Sequence, residues 1–133
     1  MIIPCEIAVK SVIPAMRALM AKELVEKHGL RQDEVAELLG ISQSAVSKYT
    51  RKVRGHVIEI SEVEEVQPLI SKMIGLLVSG TCQRREFLII FCQTCSTIRK
   101  TRVMCPFCQK ADPTIDIEEC GLCMAYKSDQ DQR

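Results

Sequence analysis

The stretch from Gln32 to Lys52, "QDEVAELLGISQSAVSKYTRK", decides how this chain is read. It holds two short amphipathic segments joined by Gly40, Ile41 and Ser42. Helices that cross steeply around so short a turn need a small side chain where they touch, and Ala36 supplies it. They also need a residue that tolerates positive φ at the turn, and Gly40 supplies that. Val35, Leu39, Ile41, Val46 and Tyr49 fall where apolar anchors are required. The expected helices are Asp33–Leu39 and Gln43 to about Lys52, with Ser42 capping the second. That second helix presents Gln43, Ser44, Ser47 and Lys48 outward. Glutamine can bond an adenine edge through two hydrogen bonds, and serine can reach bases or phosphates. Lys48, Arg51, Lys52 and Arg54 add four positive charges, with no acid between Ser42 and His56. Charges so placed suit phosphate contacts. The competing reading is an ordinary helical hairpin with a solvated polar face. It requires the alanine, the glycine and all the anchors to fall in register by chance.

The pattern resembles the Xre/lambda-repressor-like helix-turn-helix family. The wider run from "PCEIAVKSVIPAMRALMAKELVEKHGL" through "GISQSAVSKYTRKVRG" is similar to a group of archaeal transcriptional regulators. The likeness covers residues 4–55 well and the remainder loosely. Some members of that group carry a thiamine-phosphate synthase-like domain behind the same head, for which this sequence leaves too little room. Others end in a short cysteine-containing tail described as iron–sulfur binding. The resemblance implies that Gln43, Ser44, Ser47 and Lys48 are the DNA-reading positions.

Upstream, Val12 to His28 reads as an amphipathic helix. Ile13, Met16, Leu19, Met20 and Leu24 recur at three- and four-residue steps, and Gly29 stands just past its end. Downstream, Ser61 to Val78 is again helical. Val63, Val66, Ile70, Met73 and Leu77 follow the spacing of a coiled-coil seam, over only about two heptads. Two readings stay open for this stripe: a face packed into the chain's own core, or a dimerisation seam. Pro68 either kinks the helix or starts a new one. The run Phe87–Phe91, "FLIIF", is expected to be a buried strand.

The chain carries eight cysteines. Cys92 and Cys95, Cys105 and Cys108, and Cys120 and Cys123 form three C-x2-C pairs, with Cys82 ahead of them. Such a pair lets two thiolates of one turn face one centre, and two pairs complete a four-thiolate site. Cys92, Cys95, Cys105 and Cys108 are the first set to satisfy that rule, and Cys120 and Cys123 are surplus. Both histidines, His28 and His56, belong to the front half, so any metal site is all thiolate or nearly so. Cys5 stands alone and reads as a small core residue. Zinc favours the "CPFC" turn, but the glycine usual after the second cysteine is replaced by Ser96, Gln109 and Met124. Surplus thiols and the resemblance favour an iron–sulfur cluster, with Zn2+ as the alternative and a metal-free dithiol third. Arg84, Arg85, Arg99, Lys100 and Arg102 surround these thiols, either as charge balance for a thiolate centre or as a second phosphate contact.

Charge supports this division. Residues 1–56 carry nine Lys/Arg and six Asp/Glu; residues 57–80 carry one and four; residues 81–110 carry six and one; residues 111–133 carry two and six. A net charge of +1 thus conceals two basic blocks, and local fields steer phosphates more than the total does. Aromatics at 4% argue against an all-β sandwich. The start "MIIPCEIAVK" lacks the layout of a secretory leader and Met73 to Val78 is too short to span a bilayer, so a cytoplasmic protein is expected. In that reducing compartment paired cysteines are more often ligands or redox groups than structural bridges.

The sequence therefore predicts a mainly α chain: a helix-turn-helix bundle over 1–56, a linking and dimerisation helix over 57–80, and a small cysteine-rich metal-binding module over 81–133 with little β structure. The expected function is a homodimeric, DNA-binding transcriptional regulator that is not an enzyme. Its cluster would sense redox state, oxygen or iron. Two rivals are a DNA-binding protein with a structural zinc site, and a thiol oxidoreductase using "CGLC". The latter needs a βαβ pattern that the sequence does not offer.

Overall fold

A computed structural model describes residues 1–51, 58–81 and 83–125. The described residues are helical, with no strand among them. Four helices make the front half: α1 (Pro4–Lys10), α2 (Val12–Glu26), α3 (Gln32–Leu39) and α4 (Gln43–Thr50). Then come α5 (Val66–Val78), α6 (Arg84–Lys100), α7 (Cys105–Ala111), α8 (Ile117–Cys120) and α9 (Leu122–Ala125).

The sequence pattern did not reveal α1. Pro4 opens it, where the missing N–H costs nothing, and Ser11 ends it by donating its hydroxyl to the Ile7 carbonyl at 2.6 Å. Helix α2 is the pillar of the fold. Val12, Met16, Met20 and Leu24 repeat every four residues and are all but fully buried. Ile13 and Leu19, expected in the same stripe, are only half-buried. One helix can bury so much because α1, α3, α4, α5 and α6 all lean on it.

The α5 stripe faces the chain's own core. Val66, Ile70, Met73 and Leu77 are buried within the chain, against α6 and α2. The core-packing reading therefore describes this stripe. Pro68 sits in the first turn of α5, so it starts the helix rather than kinking it. The stretch before it, expected to be helical from Ser61, is turn and coil, with Ile58 and Ile60 tucked into the core. Ile74 is 2% exposed in this layer. Ile74→Val removes one methylene from a close-packed interior and is expected to cost about 0.5–1.5 kcal/mol, read as a lower urea midpoint at unchanged slope.

The strand expected at Phe87–Phe91 is a correction. These residues lie inside α6, which runs on to Lys100. A five-residue apolar run cannot distinguish the two periods. The longer window does: Ile90, Thr94 and Ile98 are buried at four-residue steps, while Leu88 and Ile89 point outward. The Thr94 hydroxyl is satisfied by the Ile90 carbonyl at 2.8 Å, so the polar residue costs little inside. After Thr101 the chain reverses through Arg102, the one non-glycine residue at positive φ among those described, and enters α7.

Candidate nucleic-acid interface and thiol site

The first candidate site is the α3–α4 pair. Glu34 accepts the Arg31 backbone N–H at 3.2 Å, tying down the start of α3. Gly40 ends α3 in the left-handed conformation, at φ 67° and ψ 33°, as the turn demands. The Ile41 N–H returns to the Ala36 carbonyl at 3.1 Å. Ser42 then starts α4, its hydroxyl accepting the Ala45 N–H at 3.0 Å. Ser42→Ala leaves that N–H without its side-chain partner. The expected loss is about 1 kcal/mol, checked by chemical denaturation.

Packing fixes the angle between the two helices. Val35 and Ala36 on α3 meet Ala45, Val46 and Tyr49 on α4, all buried, while Leu39 and Ile41 are half-buried against the same core. With that face occupied, the opposite face of α4 is open. Ser42, Gln43, Ser44 and Arg51 are exposed, and Ser47 and Lys48 are half-buried. The Arg51 guanidinium donates back to the Ser47 carbonyl at 3.4 Å, keeping a positive charge at the end of α4. Lys52 and Arg54, expected to extend this basic run, lie outside the described residues. So do Cys82 and the polar end "KSDQDQR".

The second candidate site is built from thiols. Cys105, Cys108, Cys120 and Cys123 line one pocket of about 180 Å3, with Arg99, Arg102 and Met104. Met1, Ile2 and Pro4 also line it. Two local features bring the sulfurs there. Cys105 and Cys108 sit on one side of α7, one turn apart. Gly121, at φ 53°, breaks the chain between α8 and α9, so Cys120 and Cys123 flank a bend. Burial pushes the Cys105 and Cys108 thiols above their ordinary range, and the charges of Cys123 and Cys120 add to it.

Arg99 holds this arrangement to the rest of the molecule. Its Nε donates to the Cys123 sulfur at 3.4 Å and its Nη1 to the Cys5 sulfur at 3.6 Å. Burial works against the guanidinium's charge, but the contacts with Cys123 and Cys5 outweigh it and hold the group above its usual range. Burial likewise pushes the Cys95 thiol up, with the Arg99 charge pulling the other way.

The six tail cysteines proposed as ligands are thus not all together. The second and third C-x2-C pairs share the pocket, whereas Cys92 is exposed and Cys95 is half-buried on α6, outside its lining. Among the described residues, no three Cys, His, Asp or Glu side chains stand round a single point as an ion would require. The donor set nonetheless fits a soft, thiolate-loving centre: four sulfurs, no imidazole, and one carboxylate, Asp112, in the lining. Cys5, set aside as a core residue, is exposed and belongs to this region. No local signal in the sequence could have placed it there, since its contact with Arg99 spans 94 residues.

The "CGLC" pair straddles α8 and α9 with no strand beside it among the described residues, so the βαβ setting of a thiol oxidoreductase is not present there. Nor is any helix of the described residues long and apolar enough to cross a membrane.

Comparison with known proteins bears on the first site. Residues 22–56 match a family described as Helix-turn-helix. The match takes in the last five residues of α2, all of α3 and α4, and the basic run behind them. No curated protein and no solved structure matches the chain. Geometry and family match agree: the chain carries a helix-turn-helix of the DNA-binding regulator class.

Proposed function

We propose that this chain is a homodimeric transcriptional regulator of the archaeal type it resembles, reading DNA with α4 and holding an iron–sulfur cluster on its tail thiols. The observation that carries the reading is the pairing of an open polar face on α4 with four cysteines round one pocket. Gln43, Ser44 and Ser47 meet base edges, while Lys48 and Arg51, with Lys52 and Arg54 behind them, meet phosphates. Cys105, Cys108, Cys120 and Cys123 are the residues that would hold the cluster. Cys92 and Cys95 stay outside it. A bound cluster supplies a centre whose state answers to redox potential, oxygen or iron supply.

The chain's own residues supply the link between the two sites. Arg99 ties Cys123 to Cys5 on α1, α1 lies on α2, and α2 lies on α4. A change in the thiols' charge or position is felt by Arg99 and passed along packed helices. It alters DNA affinity only by the difference in binding between the two states.

Two-fold symmetry places two heads on half-sites about 34 Å apart, one helical turn. With the α5 stripe buried, the partner contact falls on other apolar surface. Val78, Leu88 and Ile89 remain exposed at the end of α5 and the start of α6, which supports that placement.

Purification without air tests the cofactor. The expected product is coloured, with iron and acid-labile sulfide in equal amounts. Zinc alone, without colour, would leave a structural site and remove the sensing role. Lys48→Ala tests the phosphate contact: the slope of log affinity against log salt is expected to fall by about 1.

A further inference from the structure

The four cysteines of the pocket stand among apolar side chains, with Met104, Ile115, Ile117 and Leu122 in the same lining. Four thiolates carry four negative charges. A divalent ion or an iron–sulfur core neutralises only part of them, so a loaded site keeps a net negative charge. Such a charge, left without a partner in apolar surroundings, is costly. The lining holds two cations, Arg99 and Arg102, against one carboxylate, Asp112. We propose that Arg99 and Arg102 are the counter-charges of this site, two positioning residues that offset the negative charge of a centre bound by the four thiolates. The inference rests on the reading that the pocket takes such a centre, and it says which side chains outside the ligand set decide how tightly.

Arg99 acts by contact. Its Nε donates to the Cys123 sulfur at 3.4 Å, and its Nη1 reaches the Cys5 sulfur at 3.6 Å. A guanidinium stays charged at any working pH and carries five N–H groups in a rigid plane, so one side chain holds two sulfurs and remains positive. Cys123 lies in α9, a helix of only four residues behind the bend at Gly121. The bond from Arg99 fastens that sulfur to α6, which has 17 residues. Hydrogen bonds of this kind, made to a ligand from outside the ligand set, orient it and tune the centre.

Arg102 acts by placement, and its backbone carries the signal. It takes φ 68°, a conformation that the glycines Gly29, Gly40, Gly80 and Gly121 adopt elsewhere in the chain. Glycine would hold this turn with less strain, because it has no Cβ to crowd the following carbonyl. The bonds that shape the turn are main-chain ones. The Arg102 N–H donates to the Arg99 carbonyl at 3.1 Å, and the Cys105 N–H donates to the Arg102 carbonyl at 3.1 Å. Any residue with a backbone N–H makes them equally well. The Arg102 side chain is exposed, so it supplies no core packing either. What it adds is a positive charge in the lining, three residues before Cys105. A strained position occupied by a side chain the fold does not need is a mark of function.

The test uses the full-length chain, reduced and held without air, and Co2+ alone as the probe. Cobalt reports thiolate ligands through its sulfur-to-metal absorption and serves whether the native centre is iron–sulfur or zinc. Arg99→Gln and Arg102→Gly are each expected to weaken Co2+ binding by about tenfold to a hundredfold. Arg102→Lys, which keeps the charge, should restore most of the affinity, whereas Arg99→Lys, which loses the planar fork, should restore only part. Arg84→Gln removes the same charge from an exposed site outside the lining and should bind as the unaltered chain does. The urea midpoint of metal-free Arg102→Gly should stay level or rise, so that stability and affinity move apart. A merely structural arginine would move them together or leave affinity alone. Unchanged affinity in Arg99→Gln or Arg102→Gly, an equal loss in Arg84→Gln, or a lower metal-free midpoint in Arg102→Gly would each overturn the inference while the pocket reading stands. An unaltered chain that shows no sulfur-to-cobalt absorption would overturn the pocket reading itself and this inference with it.

Discussion

Cys108→Ser and Cys123→Ser, each made alone, are expected to yield protein that has lost its bound iron and sulfide, while Cys92→Ser keeps them. The difference follows from position. Cys108 and Cys123 share the pocket with Cys105 and Cys120, whereas Cys92 is exposed on α6. On the scale of a four-ligand zinc site, worth about 10–16 kcal/mol, each ligand carries roughly 2.5–4 kcal/mol, a factor of about a hundred to a thousand in affinity, and a loss of that order is expected here. Serine is nearly the same size but gives up the soft thiolate, so the fold around it should survive. Iron and sulfide analysis after anaerobic purification, with a circular dichroism spectrum as the control for folding, decides it. If Cys92→Ser loses the centre and Cys123→Ser keeps it, the ligands are the first two pairs in the sequence, and the pocket has another use.

Gln43→Ala is expected to weaken binding to the preferred duplex by about fivefold to more than a hundredfold, the 1–3 kcal/mol of one two-bond contact to a base. Gln43 is exposed in the first turn of α4, the part of a recognition helix that lies deepest in the groove. Its side chain has no structural duty in the bundle, so the melting temperature should not move. The salt dependence should not change either, because no phosphate contact is lost. Binding to unrelated duplex should therefore be preserved. A fall in both specific and unspecific binding would mean that α4 is displaced or unfolded, not that a base contact has gone.

How much of this was legible in the sequence depended on how local the physics was. The turn between α3 and α4 is written in three neighbouring residues: Gly40 for its positive φ, Ser42 for its cap and Ala36 for close approach. Each acts within a few positions, so the pattern alone placed the two helices within a residue or two. The stripe of α5 was equally visible, but whether it faced inward depended on α6. That helix was hidden, because "FLIIF" taken alone looks like a strand. Only the four-residue step from Ile90 through Thr94 to Ile98 reveals a helix.

The thiol region was legible in chemistry and obscure in geometry. Paired cysteines without histidine point to a thiolate site on spacing alone. Which pairs meet depends on the bend at Gly121 and on the reversal at Arg102, where a non-glycine residue takes a conformation no pattern anticipates. Cys5 was the least legible of all. Its partner Arg99 lies at the other end of the chain, and the helix that carries it, α1, was not foreseen.

DNA reading by α4 is tested most sharply by selection of duplexes from a random pool by the full-length, anaerobically purified chain in moderate salt. The expected result is enrichment of a two-fold symmetric site with half-sites about 10 base pairs apart, and its loss in Gln43→Ala. A chain that retains no duplex even at low ionic strength, or enriches none over the starting pool, would contradict it.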